Sequence, residues 1–186
     1  MEIDWNEQLF AQLDWHWTNH MRPRLDGLTD EEYRWEPVAD CWSVRPADQV
    51  RTTQSSGAEF RLEYEWPAPK PDPVTTIAWR MGHITVGCLL VRSASHFGGP
   101  PVDRDTYPFS GTAKGALEQL DDAYARWSAG VQALGTDGLY RECGPAEGPF
   151  AAEPLAVLIL HINRELLHHG AEIALLRDLY LRQGQD

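Results

Sequence analysis

The sequence predicts an all-α protein: a four-helix bundle with a long crossover between helices 1 and 2, and room in that crossover for a short β element. Three observations carry this reading. Four long segments repeat apolar residues at the helical period. Glycine and proline signals stop most of them: Asp26-Gly27, Gly98-Gly99-Pro100-Pro101 and Gly184. The longest stretch without that period holds an alternation of apolar and charged residues, the period of a strand. Bundles tolerate one elaborate crossover of this kind. At 186 residues with no internal repeat, the chain reads as a single domain spanning 1–186.

The first helix is expected from about Trp5 to Leu25, with Leu9, Leu13, Trp17 and Met21 four apart. Thr29-Asp-Glu-Glu32 then reads as an N-cap with a capping box opening a short helix. The crossover of about 45 residues is too long for a plain connection. Its middle sets Phe60, Leu62, Tyr64 and Trp66 against Glu59, Arg61, Glu63 and Glu65, and so reads as a short strand or extended edge. Pro67, Pro69, Pro71 and Pro73 follow and forbid helix or sheet interior. The second helix is expected from about Pro73, a residue suited to a first turn, to Phe97. The third runs from about Thr112 to Leu134 on an apolar face of Leu117, Leu120, Tyr124 and Trp127. A second extended piece is expected within Leu139 to Glu147. The fourth helix runs from about Pro154 to Gln183, closed by Gly184.

Composition narrows function. A net charge of -12 argues against nucleic acid, whose phosphates demand a basic face. It also argues against anionic membrane surfaces, and no apolar run approaches the roughly 20 residues of a membrane span. The acidic start Met-Glu-Ile-Asp-Trp lacks the layout of a signal peptide, so the expected location is the cytoplasm. Cys41, Cys88 and Cys143 are far apart and odd in number, which disfavours a disulfide framework or a cysteine zinc site. Of the eight tryptophans, Trp5, Trp15, Trp17, Trp79 and Trp127 fall in helical segments, where core packing is expected.

The chemistry concentrates in His161-Ile-Asn-Arg-Glu165-Leu-Leu-His168-His169-Gly-Ala-Glu172. Residues three and four apart share a helix face. His161, Glu165, His168 and Glu172 therefore form one stripe, and His169 lies one turn beyond Glu165. The apolar stripe of Leu155, Ile159, Ile162, Leu166, Ile173, Leu176 and Tyr180 contains His169 and is bordered by Glu165. A helix that turns imidazole and carboxylate toward its core suggests a metal site. Two ligands four apart make a clamp, because one side chain rises above the other. Both Glu165/His169 and His161/Glu165 have this spacing, and the remaining ligand must come from another helix. His83, in Trp79-Arg-Met-Gly-His83-Ile-Thr-Val-Gly87, is the candidate, with Gly82 and Gly87 allowing close backbone approach. Taken singly, His83 suits a hydrogen-bonded core histidine better than a ligand, and His168-His169 suits a half-exposed pair as well as ligands. Glu172 suits either a solvated face or the acceptor that holds a ligand imidazole. His16 and His20 form another four-apart pair, His20 on the surface and His16 a possible cavity residue. His96 ends the second helix, where a cation complements the dipole.

Three passages resemble the DinB-like superfamily of four-helix bundles, in its actinobacterial branch. They are Leu28-Thr-Asp-Glu-Glu-Tyr-Arg-Trp-Glu36-Pro with Cys41-Trp-Ser-Val-Arg45, then Thr76-Ile-Ala-Trp-Arg-Met-Gly-His83-Ile, and His161 through Ile173. The resemblance implies a divalent metal held by one histidine of the second helix and two ligands four apart on the last. Many members carry two histidines there, whereas Glu165 here makes the set similar to that of mycothiol-dependent maleylpyruvate isomerases. By that match the ligands are His83, Glu165 and His169, and the metal is Zn2+, with Ni2+ or another transition metal as alternatives. The resemblance further implies a low-molecular-weight thiol cosubstrate such as mycothiol or bacillithiol, a small electrophile as its partner, and a possible homodimer.

Three protein ligands leave a metal position open, as in catalytic sites, and a thiol entering there is deprotonated. His161 or His168 is then the candidate proton shuttle, and Arg80 and Arg164 are candidate anchors for an anionic group. Two other function classes stand beside this thiol transferase. One is a hydrolase that activates a metal-bound water; the other is a non-enzymatic, stress-associated bundle.

Overall fold

The computed structural model describes residues 3–183. Helix α1, Trp5–His16, starts where the Asp4 carboxylate accepts the Glu7 N–H at 3.1 Å, and it continues through a π turn, Trp17–Met21, and a 3-10 turn, Pro23–Leu25. This is the first long rod. The second comprises α3, Ile77–Gly82, a π stretch, His83–Leu90, and α4, Val91–Phe97, closed by left-handed Gly98. The third and fourth are α5, Ala113–Gly138, and α6, Leu155–Tyr180. The first and second rods each pack against both α5 and α6, so they occupy opposite corners of the bundle. Between them lies a core centred on Ile84, Leu89, Leu120, Trp127, Ile162 and Leu166, all fully buried. Among the described residues no helix is long and apolar enough to cross a membrane.

The crossover holds the short helix α2, Asp30–Arg34, and a three-stranded antiparallel sheet: β1, Val44–Pro46; β2, Gln54–Ser56; β3, Phe60–Tyr64. The strand order is β1-β3-β2, with Val44 opposite Leu62 and Ser56 opposite the same residue on the other edge. The expected segment is therefore the centre of a sheet whose two edges, three residues each, are too short to show a period. Buried Glu63 ties them together. Its carboxylate accepts the Ser43 N–H at 2.9 Å, the Arg51 N–H at 2.7 Å and Arg45 Nε at 2.9 Å.

Several expectations need correction. The second rod begins at Ile77 rather than Pro73, because residues 74–76 pair with Trp42 instead. Trp42 N–H donates to the Val74 carbonyl and Thr76 N–H to the Trp42 carbonyl, both at 3.0 Å, after which Thr76 Oγ1 caps the helix at the Trp79 N–H. Thr29 caps α2 as expected, but the capping box does not close. The Glu32 carboxylate is engaged by Arg177, at 2.6 and 3.2 Å. The second extended piece is paired over 139–144 and no further: the Arg141 carbonyl accepts the Leu155 N–H and the Cys143 N–H donates to the Glu153 carbonyl, both at 2.8 Å, and Pro145–Phe150 is a 3-10 turn. Helix α6 ends at Tyr180, and Gly184 lies outside the described residues. Trp5 and Trp15 face solvent, since the buried stripe of the first rod is Leu13, Trp17 and Met21. Gly82 admits side chains rather than backbone: a Cβ there would lie 2.9 Å from Leu62 Cδ1.

Candidate metal centre

Three side chains meet where the second rod packs on α6. His83 opens the π stretch, and Glu165 and His169 sit one above the other, four apart on α6. One atom from each (two imidazole nitrogens and a carboxylate oxygen) falls within 4.8 Å of both others. His83 Nε2 lies 3.8 Å and His169 Nε2 3.5 Å from Glu165 Oε2. These separations are long for hydrogen bonds. They suit ligands that share one ion, because atoms bound tetrahedrally at about 2.1 Å sit roughly 3.4 Å apart. The donor set therefore fits a divalent transition metal.

The imidazoles are prepared for that role. Burial pushes the His169 pKa down to about 4, and the positive charges of His83 and Arg80 add to the effect. Burial also lowers the His83 pKa, against the pull of Glu165. Both rings are thus neutral near pH 7, the form that binds metal. His169 Nδ1 donates to Glu172 Oε2 at 2.7 Å, which leaves the Nε2 lone pair aimed at Glu165. Arg80 bonds that same carboxylate oxygen of Glu172. Behind His83 lies the Cys88 thiol, Sγ 3.6 Å from Nε2. Burial raises its pKa to about 12, with Glu165 adding to the shift, so it stays a thiol.

The site opens on one hollow, of about 290 Å³, which reaches His83 past Trp79, Gly87, Phe109 and Arg104. A larger one, about 420 Å³, is lined by His161, the neighbour of Glu165, and by Arg164; Phe150, Val157 and Leu160 give it apolar walls, and Arg92, Glu147 and Glu153 charged ones.

A bundle with a sheet-bearing crossover and this ligand triangle can be set against known families. The family model described as the DinB superfamily matches residues 12–173. The chain belongs to the DinB superfamily. No curated protein and no solved structure gives a significant match.

Within this DinB-superfamily chain, the residues singled out by sequence separate by position. His83, Glu165 and His169 converge. Arg80 is committed to Glu172, with its guanidinium largely buried and its pKa lowered to about 10 by that burial. His161 borders the larger hollow, Nδ1 3.6 Å from Glu165 Oε1 and 2.6 Å from Arg164 Nη2. Arg164 is mostly exposed at the same mouth. His168 points outward, 62% exposed, with Nε2 3.4 Å from Glu172 Oε1. His16 packs toward Gly170, and its Nε2 is buried without a hydrogen-bond partner. His96 sits in the last turn of α4 as expected, its side chain buried with Nε2 3.0 Å from Glu147 Oε1.

Sequence reasoning passed over Trp79, which stacks flat on His83 with centroids 5.1 Å apart and planes 7° from parallel. The signal was present: Trp79 precedes His83 by four, one helical turn. Arg104 gave no such signal. It comes from the loop after Gly98, and only the fold brings it to the hollow over His83.

Proposed function

We propose that this chain is a metal-dependent thiol transferase: it holds a divalent metal, Zn2+ foremost, on His83, Glu165 and His169, and joins a low-molecular-weight thiol of the mycothiol class to a small electrophile. The observation that carries the reading is the ligand triangle, with all three donor atoms within 4.8 Å of one another beside two hollows. Two hollows suit two small substrates, one for each partner of an S-transfer. When bound, the metal supplies a Lewis-acidic position at which a thiol becomes acidic at neutral pH.

The chain's own residues do the rest. Glu172, fixed by Arg80, holds His169 in the tautomer that presents Nε2. His161, on the wall of the larger hollow, is the residue we assign to proton transfer. The Arg164 N–H donates to its Nδ1, so the neutral ring carries its proton on Nε2, facing away from that guanidinium. Arg164, mostly exposed at that hollow, offers positive charge to an anionic substrate group, while Arg92 there is paired with Glu147. His168 faces Glu172 and serves to hold it.

The test begins with metal content of protein purified without added metal, for the wild type and for His83→Ala and His169→Ala. The expected result is about one equivalent in the wild type and loss in both variants. Wild-type protein that lacks metal and cannot be reconstituted would end the reading. Metal-loaded protein is then given mycothiol and monochlorobimane. Thiol consumption that His83→Ala abolishes supports S-transfer, whereas ester cleavage without any thiol would replace it with a water-activating hydrolase.

A further inference from the structure

His169 and His83 are held in different ways. His169 has the Glu172 carboxylate on Nδ1. For His83, among the described residues, no side chain or carbonyl is hydrogen-bonded to Nδ1, so nothing polar there fixes its ring plane. Packing fixes it instead. The Trp79 indole lies against one face, 7° from parallel. Gly87 lies on the Nδ1 side and leaves just the room the ring needs, since an added Cβ would be 3.3 Å from Nδ1. Trp79 also meets His169 edge-on, with centroids 6.4 Å apart and planes at 71°, and so touches two of the three ligands.

Trp79 is itself anchored. Its indole N–H donates to the Glu63 carbonyl at 2.7 Å, and Glu63 is the residue whose carboxylate knits the sheet together. The chain of contacts runs from sheet to indole to imidazole. We infer that Trp79 is a positioning residue of the metal centre: pinned to β3, it sets the plane of the His83 ring against Gly87 and so aims Nε2 at the Glu165 oxygen. The crossover sheet thereby has a task in the site, although it contributes no ligand. The inference rests on the metal reading above.

The test compares wild type, Trp79→Phe, Trp79→Leu and Gly87→Ala. Zn2+ affinity is measured by competition with a chelating dye, the visible spectrum is recorded after Co2+ loading, and Tm is recorded without metal. Trp79→Phe keeps an aromatic face but loses the N–H, and should weaken Zn2+ about threefold. Loss of an outer support typically weakens a metal site by about 10- to 100-fold, and Trp79→Leu should fall in that range with an altered Co2+ spectrum. Gly87→Ala is the sharper probe. Alanine favours the helix over glycine, so metal-free Tm should hold or rise, while the added methyl tilts His83 and Zn2+ affinity drops. A purely structural role predicts that affinity and Tm move together.

Zn2+ affinities within twofold of wild type and unchanged Co2+ spectra in Trp79→Phe and Gly87→Ala would overturn the inference, even should Trp79→Leu fail to fold. Wild type that binds neither Zn2+ nor Co2+ would overturn the metal reading itself, a separate outcome.

Discussion

At the scale of single residues, burial keeps the two histidines proposed as ligands neutral. The folded His169 pKa, about 4, lies below the ordinary 6.5. The unfolded chain therefore binds the extra proton first, and the stabilising contribution of the neutral ring is complete above about pH 6.5 and lost as pH falls toward 4. His83 shifts in the same direction. Metal-free protein should accordingly lose up to about 3 kcal/mol through His169 across that window. Urea midpoints at pH 7 and pH 5 should show a smaller difference in His169→Gln than in wild type; equal slopes would contradict the assignment. Glu172 acts on the same ring from outside. Glu172→Gln should weaken metal affinity by about tenfold or more with little change in the metal-free fold, read by dye competition and circular dichroism.

At the scale of elements, the buried pair Arg177–Glu32 joins α6 to α2, a helix of five residues that could not stand alone. Arg177→Met strands a buried carboxylate and should cost about 3–5 kcal/mol. Adding Glu32→Met should recover much of that loss, and a double variant no more stable than the single one would refute the pairing argument. The same contact explains what was legible. The four rods could be read from local periodicity, because each buries a continuous stripe. Spacing alone offered two clamps, Glu165/His169 and His161/Glu165, and the family resemblance chose the first. The capping box at Thr29 failed because Glu32 answers to a partner 145 residues away. Strands β1 and β2 were hidden for a similar reason, since three residues each are too few to show a period and a distant Glu63 holds their ends. Nor did any pattern announce the π stretch at His83, whose wider turns leave room for the ring beside Gly87.

At the scale of the molecule, the three proposed ligands come from two neighbouring rods, so an ion bound there would add to the bundle's cohesion. A ligand that binds only the folded form stabilises it by about 2.7 kcal/mol at a hundred times its Kd. For a chain of this length that raises Tm by roughly 5–10 °C. Thermal scans with Zn2+ should show the rise in wild type and none in His83→Ala.

The spacing of the three ligands along the chain also imposes an order in time. Glu165 and His169 become neighbours as soon as α6 coils, whereas His83 joins them only after some 80 intervening residues have been gathered in, a closure with a substantial entropic cost. The complete triangle is thus a late event, absent from any early folding nucleus. Metal should leave the refolding rate nearly unchanged and slow unfolding by the full factor of its stabilisation, about a hundredfold at a hundred times Kd. Stopped-flow traces with and without Zn2+ would show this as a shift confined to the unfolding arm. The ion would then act as a latch on a bundle already assembled, lengthening its lifetime without hastening its birth.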